Sequence, residues 1–524
     1  MRRALIAVLL IAFTAFGLKP SAAQQVPFLS ELLSRFEQFN RIYAEKRRAG
    51  ESVSTLELAR KKCEQALKGG DVPAVLEVIG EAQALVAGKK WDERQKFIAS
   101  LTVETDRLVI EPNQVLQVSL TRMYPSSVEK AFPIPPTVTF AIIPGAVGSN
   151  STEARSILAL WRGQPGNLPA GVQEPVVIAQ RMAIGETSSN ATRKLLLPDG
   201  AYQVVALIES GGKEIVEIKR QIYAISDFSN GIAQLSRTIA GIRKSNDPNV
   251  KAVGQLVDTP AFQLQRLSQL NKTRGEIELN PIQEMDRVEE VLGALAKGQN
   301  PFAAERGEVE RAYQASDGSL FPYRLYVPKS YNGSTPTPLV VMMHGALGDE
   351  RYYFSGLFDP GVVKREADRH GFILAGLNGR GRFAVSQDDV FEVIKAVTRD
   401  YKVDASRVCL IGHSLGGVGA WIVAAAKPEL FAAIAAVSGG PPAQGDALTA
   451  LLAKLKGTPA MVVHGAQDGI APVQLSRTMK EAAEKAGLKV SYVEVPDGDH
   501  LSVVASTFPA ILEFFEKSAK PAAK

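Results

Sequence analysis

The spacing of apolar residues changes several times along the chain. From about Val26 to Ala87, Leu29, Leu32, Leu33, Phe36 and Ile42 recur at helical intervals, and a second helical pattern starts at Ser54 and is interrupted at Gly69-Gly70. From about Ser100 to Ile225 the period falls to two. Leu116, Val118 and Leu120 alternate with polar residues, as do Val138, Phe140 and Ile142, and then Tyr202, Val204, Ala206 and Ile208. Asp199-Gly200 and Gly211-Gly212 punctuate these runs as turns, and the whole predicts a small β-sandwich. From Phe228 to Ala296 helical spacing returns, with Ile232, Leu235, Ile239 and Ile242 on one stripe.

The last part of the chain reads differently. Apolar runs at Tyr323–Val327, Leu339–Met343, Phe372–Leu377, Arg407–Ile411, Phe431–Val437, Ala460–Val463 and Val490–Val495 alternate with helical stretches. Such alternation predicts a mostly parallel sheet covered by helices on both faces, an α/β fold. The expected division is a helical region over 24–97, a β-sandwich over 98–225, a helical linker over 226–311, an α/β domain over 312–518 and a tail over 519–524.

Composition changes this picture little. The chain has 524 residues, 45% apolar and 22% charged, which is ordinary globular usage and excludes a disordered or polytopic membrane protein. Its N-terminus adds more. Met1-Arg2-Arg3 precedes an apolar run from Ala4 to about Leu18, then Ser21-Ala22-Ala23. That order predicts a secretory signal peptide over 1–23, with a run too short to span a bilayer. The expected location is therefore secreted or periplasmic, with no stable membrane insertion after cleavage. Removing 1–23 takes away Arg2, Arg3 and Lys19 and no acids, so the net charge falls from +5 to +2. Nucleic-acid binding is not expected at that charge. Cys63 lies on a helical stripe with Leu56, Ala59 and Leu67, and Cys409 inside an apolar strand; both read as buried, with no zinc-type spacing.

The chemistry is concentrated at Gly412-His413-Ser414-Leu415-Gly416. It follows the strand Arg407–Ile411 and precedes a helical run from Val418 to Ala426. Strand, sharp turn and helix are the context of a nucleophile elbow. The glycines leave room beside a serine in strained backbone, and the helix aims its free N–H groups at a developing oxyanion.

The partners follow by elimination. Of the five histidines (His344, His370, His413, His464 and His500), only His464 and His500 come after Ser414. The order nucleophile, acid, histidine selects His500, because His464 sits at a strand end with its acid after it. Asp468, carried past the strand ending at Val463, is the expected acid, with Asp499 as the alternative. Ser414 then attacks a carbonyl carbon, His500 moves the proton, and Asp468 fixes the His500 tautomer. One oxyanion donor is the Leu415 N–H. The second comes from the loop His344-Gly345-Ala346-Leu347-Gly348, with Ala346 or Leu347 as candidates. His344 and Arg380, the latter in Asn378-Gly379-Arg380-Gly381-Arg382, are candidate substrate contacts, with support of its own loop as the alternative for His344, and Asp388-Asp389 reads as a capping box started by Ser386.

Residues from about Ala312 to Phe515 resemble the α/β-hydrolase superfamily. Within it they are most similar to secreted esterases of the polyhydroxybutyrate depolymerase and feruloyl esterase type, and to prolyl-oligopeptidase-like catalytic domains. The resemblance rests on His344-Gly345, Asp388-Asp389-Val390, Tyr401–Val408, Gly412–Gly416, Asp468 and His500. It implies an eight-stranded, mostly parallel sheet and no cofactor, and it says nothing about residues 24–300. Those residues contain no histidine, and are expected to be accessory.

Two gaps bear on the substrate. Ser414 and Asp468 lie 54 residues apart, and Asp468 and His500 lie 32 apart, which leaves no space for a large lid. The expected substrate is an ester-containing small molecule or polymer, cleaved at an open site. A serine peptidase with the same triad is the competing reading.

Overall fold

The computed structural model describes residues 29–68, 71–112, 114–134, 136–144, 158–163, 176–179, 197–271, 279–345, 348–355, 360–379 and 385–518. The expected signal peptide, the Gly69-Gly70 interruption and the 519–524 tail lie outside them. Two compact units divide the chain, one ending at Gly298 and one beginning at Gln299.

The first unit opens with helices Leu29–Arg48, Ser54–Lys68, Val72–Val86 and Glu93–Ser100. Asp71 and Asp92 cap the last two, accepting from Ala74 N–H at 3.0 Å and Gln95 N–H at 2.8 Å. Leu56, Ala59 and Cys63 are buried, as their shared stripe predicts. Eight strands follow: Leu101–Thr105 (β1), Val109–Ile110 (β2), Val115–Arg122 (β3), Thr137–Pro144 (β4), Leu158–Gly163 (β5), Val176–Ala179 (β6), Gly200–Ser210 (β7) and Lys213–Ala224 (β8). They form two sheets, β1-β3-β6 and β2-β8-β7-β4-β5. Leu101, Val103, Val118 and Leu120 of one sheet share a core with Val138, Phe140, Val204 and Ile208 of the other. This is a sandwich, and the alternation that predicts it is the burial pattern of its strands. Gly211 and Gly212 join β7 to β8 with φ of 58° and 73°, the backbone that a two-residue hairpin turn requires. Helices Phe228–Lys244, Pro248–Val253, Asp258–Gln269 and Pro281–Leu295 complete the unit.

The second unit holds one eight-stranded sheet: Gly307–Gln314 (β9), Leu320–Val327 (β10), Thr337–Met343 (β11), Ile373–Leu377 (β12), Val403–His413 (β13), Ala433–Val437 (β14), Ala460–Gly465 (β15) and Val490–Val495 (β16). Their spatial order is β16-β15-β14-β13-β11-β12-β10-β9. The pairs from β12 through β16 are parallel, whereas β10 runs antiparallel to both neighbours. The first strand corrects the expected boundary at 312. Residues 307–314 read as linker because β9 is an edge strand, with Glu308, Glu310 and Arg311 among its residues and no apolar run.

Strands β11, β12, β14 and β15 are buried at every position, which is why they read as continuous apolar runs. One layer of the core includes Leu339, Val341, Leu410, Trp421 and Ile434; the other includes Val340, Met342, Ile411, Phe508 and Phe515. Each such side chain contributes roughly 1.5–3 kcal/mol on burial. The chain order reverses across β11, with β12 on one side and β13 on the other. In such sheets the crevice beyond the strands' C-terminal ends is where ligands bind.

Candidate active site

Four strand ends supply the site: β11 leads to His344-Gly345, β13 to Ser414, β15 to Asp468 and β16 to His500. Ser414 adopts φ 56° and ψ −121° between β13 and the helix Leu415–Ala426. A non-glycine residue pays of order 1–3 kcal/mol for such a backbone, so the surroundings must hold it there. Its N–H donates to the Val437 carbonyl at 2.8 Å. A Cβ at Gly412 would collide with the Gly416 carbonyl, and one at Gly416 with the His344 and Met343 carbonyls. Both glycines are thus required by close backbone approach, as the motif predicts. The Leu415 N–H lies in the first turn of the helix, at its positive end.

Asp468 and His500 meet directly, with Asp468 Oδ2 accepting from His500 Nδ1–H at 2.7 Å. That bond leaves His500 Nε2 with its lone pair, the tautomer a general base needs. The other carboxylate oxygen accepts from the Ile470 and Ala471 N–H groups at 2.9 and 2.8 Å. The Asp468 side chain is fully buried. Burial opposes its ionisation, but hydrogen bonds from His464 and His500 outweigh that and hold the carboxyl well below the usual carboxylate range.

Ser414 Oγ makes no hydrogen bond to a described residue, and His413, the residue before it, ties the serine turn to the His500 backbone. His413 Nε2–H donates to the His500 carbonyl at 2.7 Å, and the two rings stand 4.7 Å apart. The other nitrogen, Nδ1, accepts from the Tyr352 hydroxyl at 2.7 Å. Burial, then the neighbouring His500, keeps His413 neutral far below the ordinary histidine range. Tyr352 also touches the loop after β11: a Cβ on Gly345 would stand 2.9 Å from its hydroxyl and 3.2 Å from the Ser414 Cβ. Gly345, the described residue before Ala346, is therefore beside the serine.

Ala346 and Leu347 lie outside the described residues, as do Arg380 and Arg382. His344 is buried, with Nδ1 2.6 Å from the Gly345 carbonyl and its ring beside Tyr352. Its burial suits a brace for the loop better than the substrate contact expected of it. Asp499 faces away from the expected role of acid: its Oδ1 accepts from the Leu501 and Ser502 N–H groups. The Asp389 capping box is present, and Asp389 also accepts from the Tyr313 hydroxyl of β9 at 2.6 Å.

Sequence reasoning passes over Tyr352 and His413, and sets His464 aside because its acid follows it. His464, fully buried at the end of β15, places Nε2 3.1 Å from Asp468 Oδ2 and 2.9 Å from the Ala471 carbonyl. The signal available was its position four residues before the expected acid. Among the described residues no group of three or more His, Cys, Asp or Glu is arranged to hold a metal ion. The stretch from Ser414 to Asp468 is occupied by helix Leu415–Ala426, β14, helix Gly445–Ala453 and β15, and contains no separate lid.

Residues 381–519 match the Phospholipase/Carboxylesterase family. The chain is 27% identical over 180 residues to an sn-1-specific diacylglycerol lipase of Mus musculus, covering 32% of this chain and 57% of that protein. It is 31% identical over 132 residues to feruloyl esterase B of Neurospora crassa, covering 22% and 42% respectively. The chain thus spans 57% and 42% of the length of these two relatives. A solved thermostable esterase is similar at 19% identity with a TM-score of 0.35, covering 80% of this chain and all of that one. By sheet order and by the turn that carries Ser414, the unit beginning at Gln299 has the α/β-hydrolase fold, and residues 381–519 within it resemble the carboxylesterases of the matched family.

Proposed function

We propose that this protein is an exported serine carboxylic ester hydrolase that works through an acyl-enzyme. The observation that carries the reading is the 2.7 Å bond from His500 to a buried Asp468, beyond the same strand ends that present Ser414 on a strained turn. Ser414 Oγ attacks the ester carbonyl as His500 Nε2 takes its proton. The oxyanion forms at the start of helix Leu415–Ala426, against the Leu415 N–H and the loop after Gly345. His500 returns the proton to the departing alcohol, and then activates water to release the acid. Asp468 holds the ring in the correct tautomer and stabilises the imidazolium.

The lack of a lid between Ser414 and Asp468 favours short acyl groups, or esters that protrude from a polymer, over long free lipids. Hydrolysis of p-nitrophenyl acetate, butyrate and palmitate by the full chain tests this. Acetate and butyrate should be turned over and palmitate poorly. Ser414→Ala should lower kcat by at least about 10³-fold with unfolding unchanged. Activity retained in Ser414→Ala would remove the serine as nucleophile. Export rests on residues 1–23, and predicts a processed protein that begins at Gln24 when its N-terminus is sequenced.

A further inference from the structure

His464 has every hydrogen-bonding direction of its ring committed. On one side Nε2 faces two acceptors, the Ala471 carbonyl at 2.9 Å and Asp468 Oδ2 at 3.1 Å, so it carries a proton. On the other, Nδ1 lies 2.6 Å from Ser476 Oγ. The Ser476 hydroxyl is itself 2.7 Å from the Gly439 carbonyl, which can only accept. A hydroxyl has one proton, and it is used on Gly439. Ser476 Oγ therefore meets Nδ1 as an acceptor, and Nδ1 must donate. A neutral ring would leave Nδ1 facing an oxygen with no proton between them, in a site where both residues are fully buried.

We infer that His464 is an imidazolium and acts as a positioning residue: the fixed counter-ion of Asp468, bound to the same carboxylate oxygen as His500. The inference rests on the triad reading given above. It contrasts with His413, which burial keeps neutral: with Nε2–H on the His500 carbonyl, its Nδ1 is left to accept from the Tyr352 hydroxyl. The charged and titratable groups around His464 are Asp468 on its own loop, His413 from β13, His500 after β16, and Glu494, which pairs with it in register and is tied to Arg477 at 2.6 Å.

The arrangement has two consequences. In the resting site the buried carboxylate already has a cation, so no isolated charge is present while His500 is neutral. Once His500 takes the Ser414 proton, two cations share one carboxylate. His500 then holds that proton less tightly and releases it more readily to the leaving alcohol.

The test is ring-nitrogen NMR of the full chain with ¹⁵N-labelled histidine at pH 7.5. His464 should show two protonated ring nitrogens, assigned as the resonances lost in His464→Gln. In Ser476→Ala, Nδ1–H loses its acceptor and the same ring should move toward one unprotonated nitrogen, an assignment that holds even if His464→Gln fails to fold. An unprotonated ring nitrogen on His464 in the unaltered protein overturns the inference. Activity supplies the second arm. In His464→Gln the acid limb of kcat/KM should move up by about one pH unit, because the repelling charge beside His500 is gone. A merely structural His464 would lower kcat/KM at every pH with the limb in place, and that result would remove the counter-ion role. Absence of any ester turnover would count against the triad reading, while the NMR would still decide the state of His464.

Discussion

At the scale of single residues, the site works by opposed demands on buried groups. Asp468 is out of water, yet three hydrogen bonds and an ion pair converge on its two oxygens: Ile470 and Ala471 donate to one, and His500 donates to the other with His464 3.1 Å from it. They keep it ionised below the range of a free carboxyl. The unfolded chain, with its carboxyl near 3.9, therefore takes up this proton first as pH falls. The stability that ionised Asp468 contributes is complete above about pH 5 and is lost as the solution is acidified through the folded-state value. Urea unfolding between pH 6 and pH 3 should show a steeper loss of stability in the unaltered protein than in Asp468→Asn. Equal slopes would mean that the folded carboxyl titrates like a free one. The same substitution should cost roughly 10⁴-fold in kcat, because His500 loses the partner that sets its tautomer.

At the scale of elements, the turn and the helix starts are set by local chemistry. The helix Gln387–Asp400 begins with Ser386 accepting from the Asp389 N–H at 3.2 Å and Asp389 accepting from the Ser386 N–H at 3.2 Å. Ser386→Ala should cost about 1 kcal/mol, read as a lower unfolding midpoint in urea. Asp389→Ala should cost more, since the buried Tyr313 hydroxyl would lose its acceptor as well. The elbow is less forgiving. In Gly412→Ala the new methyl would meet the Gly416 backbone rather than a side chain that can move aside. Loss of both folding yield and esterase activity is expected, and an active, stable Gly412→Ala would show that the turn can open.

At the scale of the whole molecule, two units with separate cores predict two unfolding transitions. Phe140 lies in the sandwich core and Leu410 in the core of the eight-stranded sheet. Phe140→Ala should lower one calorimetric transition, by roughly 3–5 kcal/mol for that unit, and Leu410→Ala the other, by roughly 2–5 kcal/mol. Movement of both transitions by either substitution would show that the units unfold together.

Local pattern carried much of this protein. Period-two runs gave the sandwich strands, because each has one face on a shared core. Continuous apolar runs gave the central sheet strands, because both of their faces are covered. Strained backbone at Ser414 and the glycines around it follow from a five-residue motif, since the collisions that demand glycine arise within the turn and the strand ends beside it. The edge strand β9 escaped because pairing on one side only leaves it charged and half-exposed, with no apolar run to read. Tertiary structure alone placed Tyr352 on His413 and His464 on Asp468. Residues 61 positions apart bond at Tyr352 and His413, and no local periodicity encodes such a distance. The protonation of His464 is the furthest from the sequence. It depends on where the single proton of Ser476 goes, and that is decided by the Gly439 carbonyl at the end of another strand.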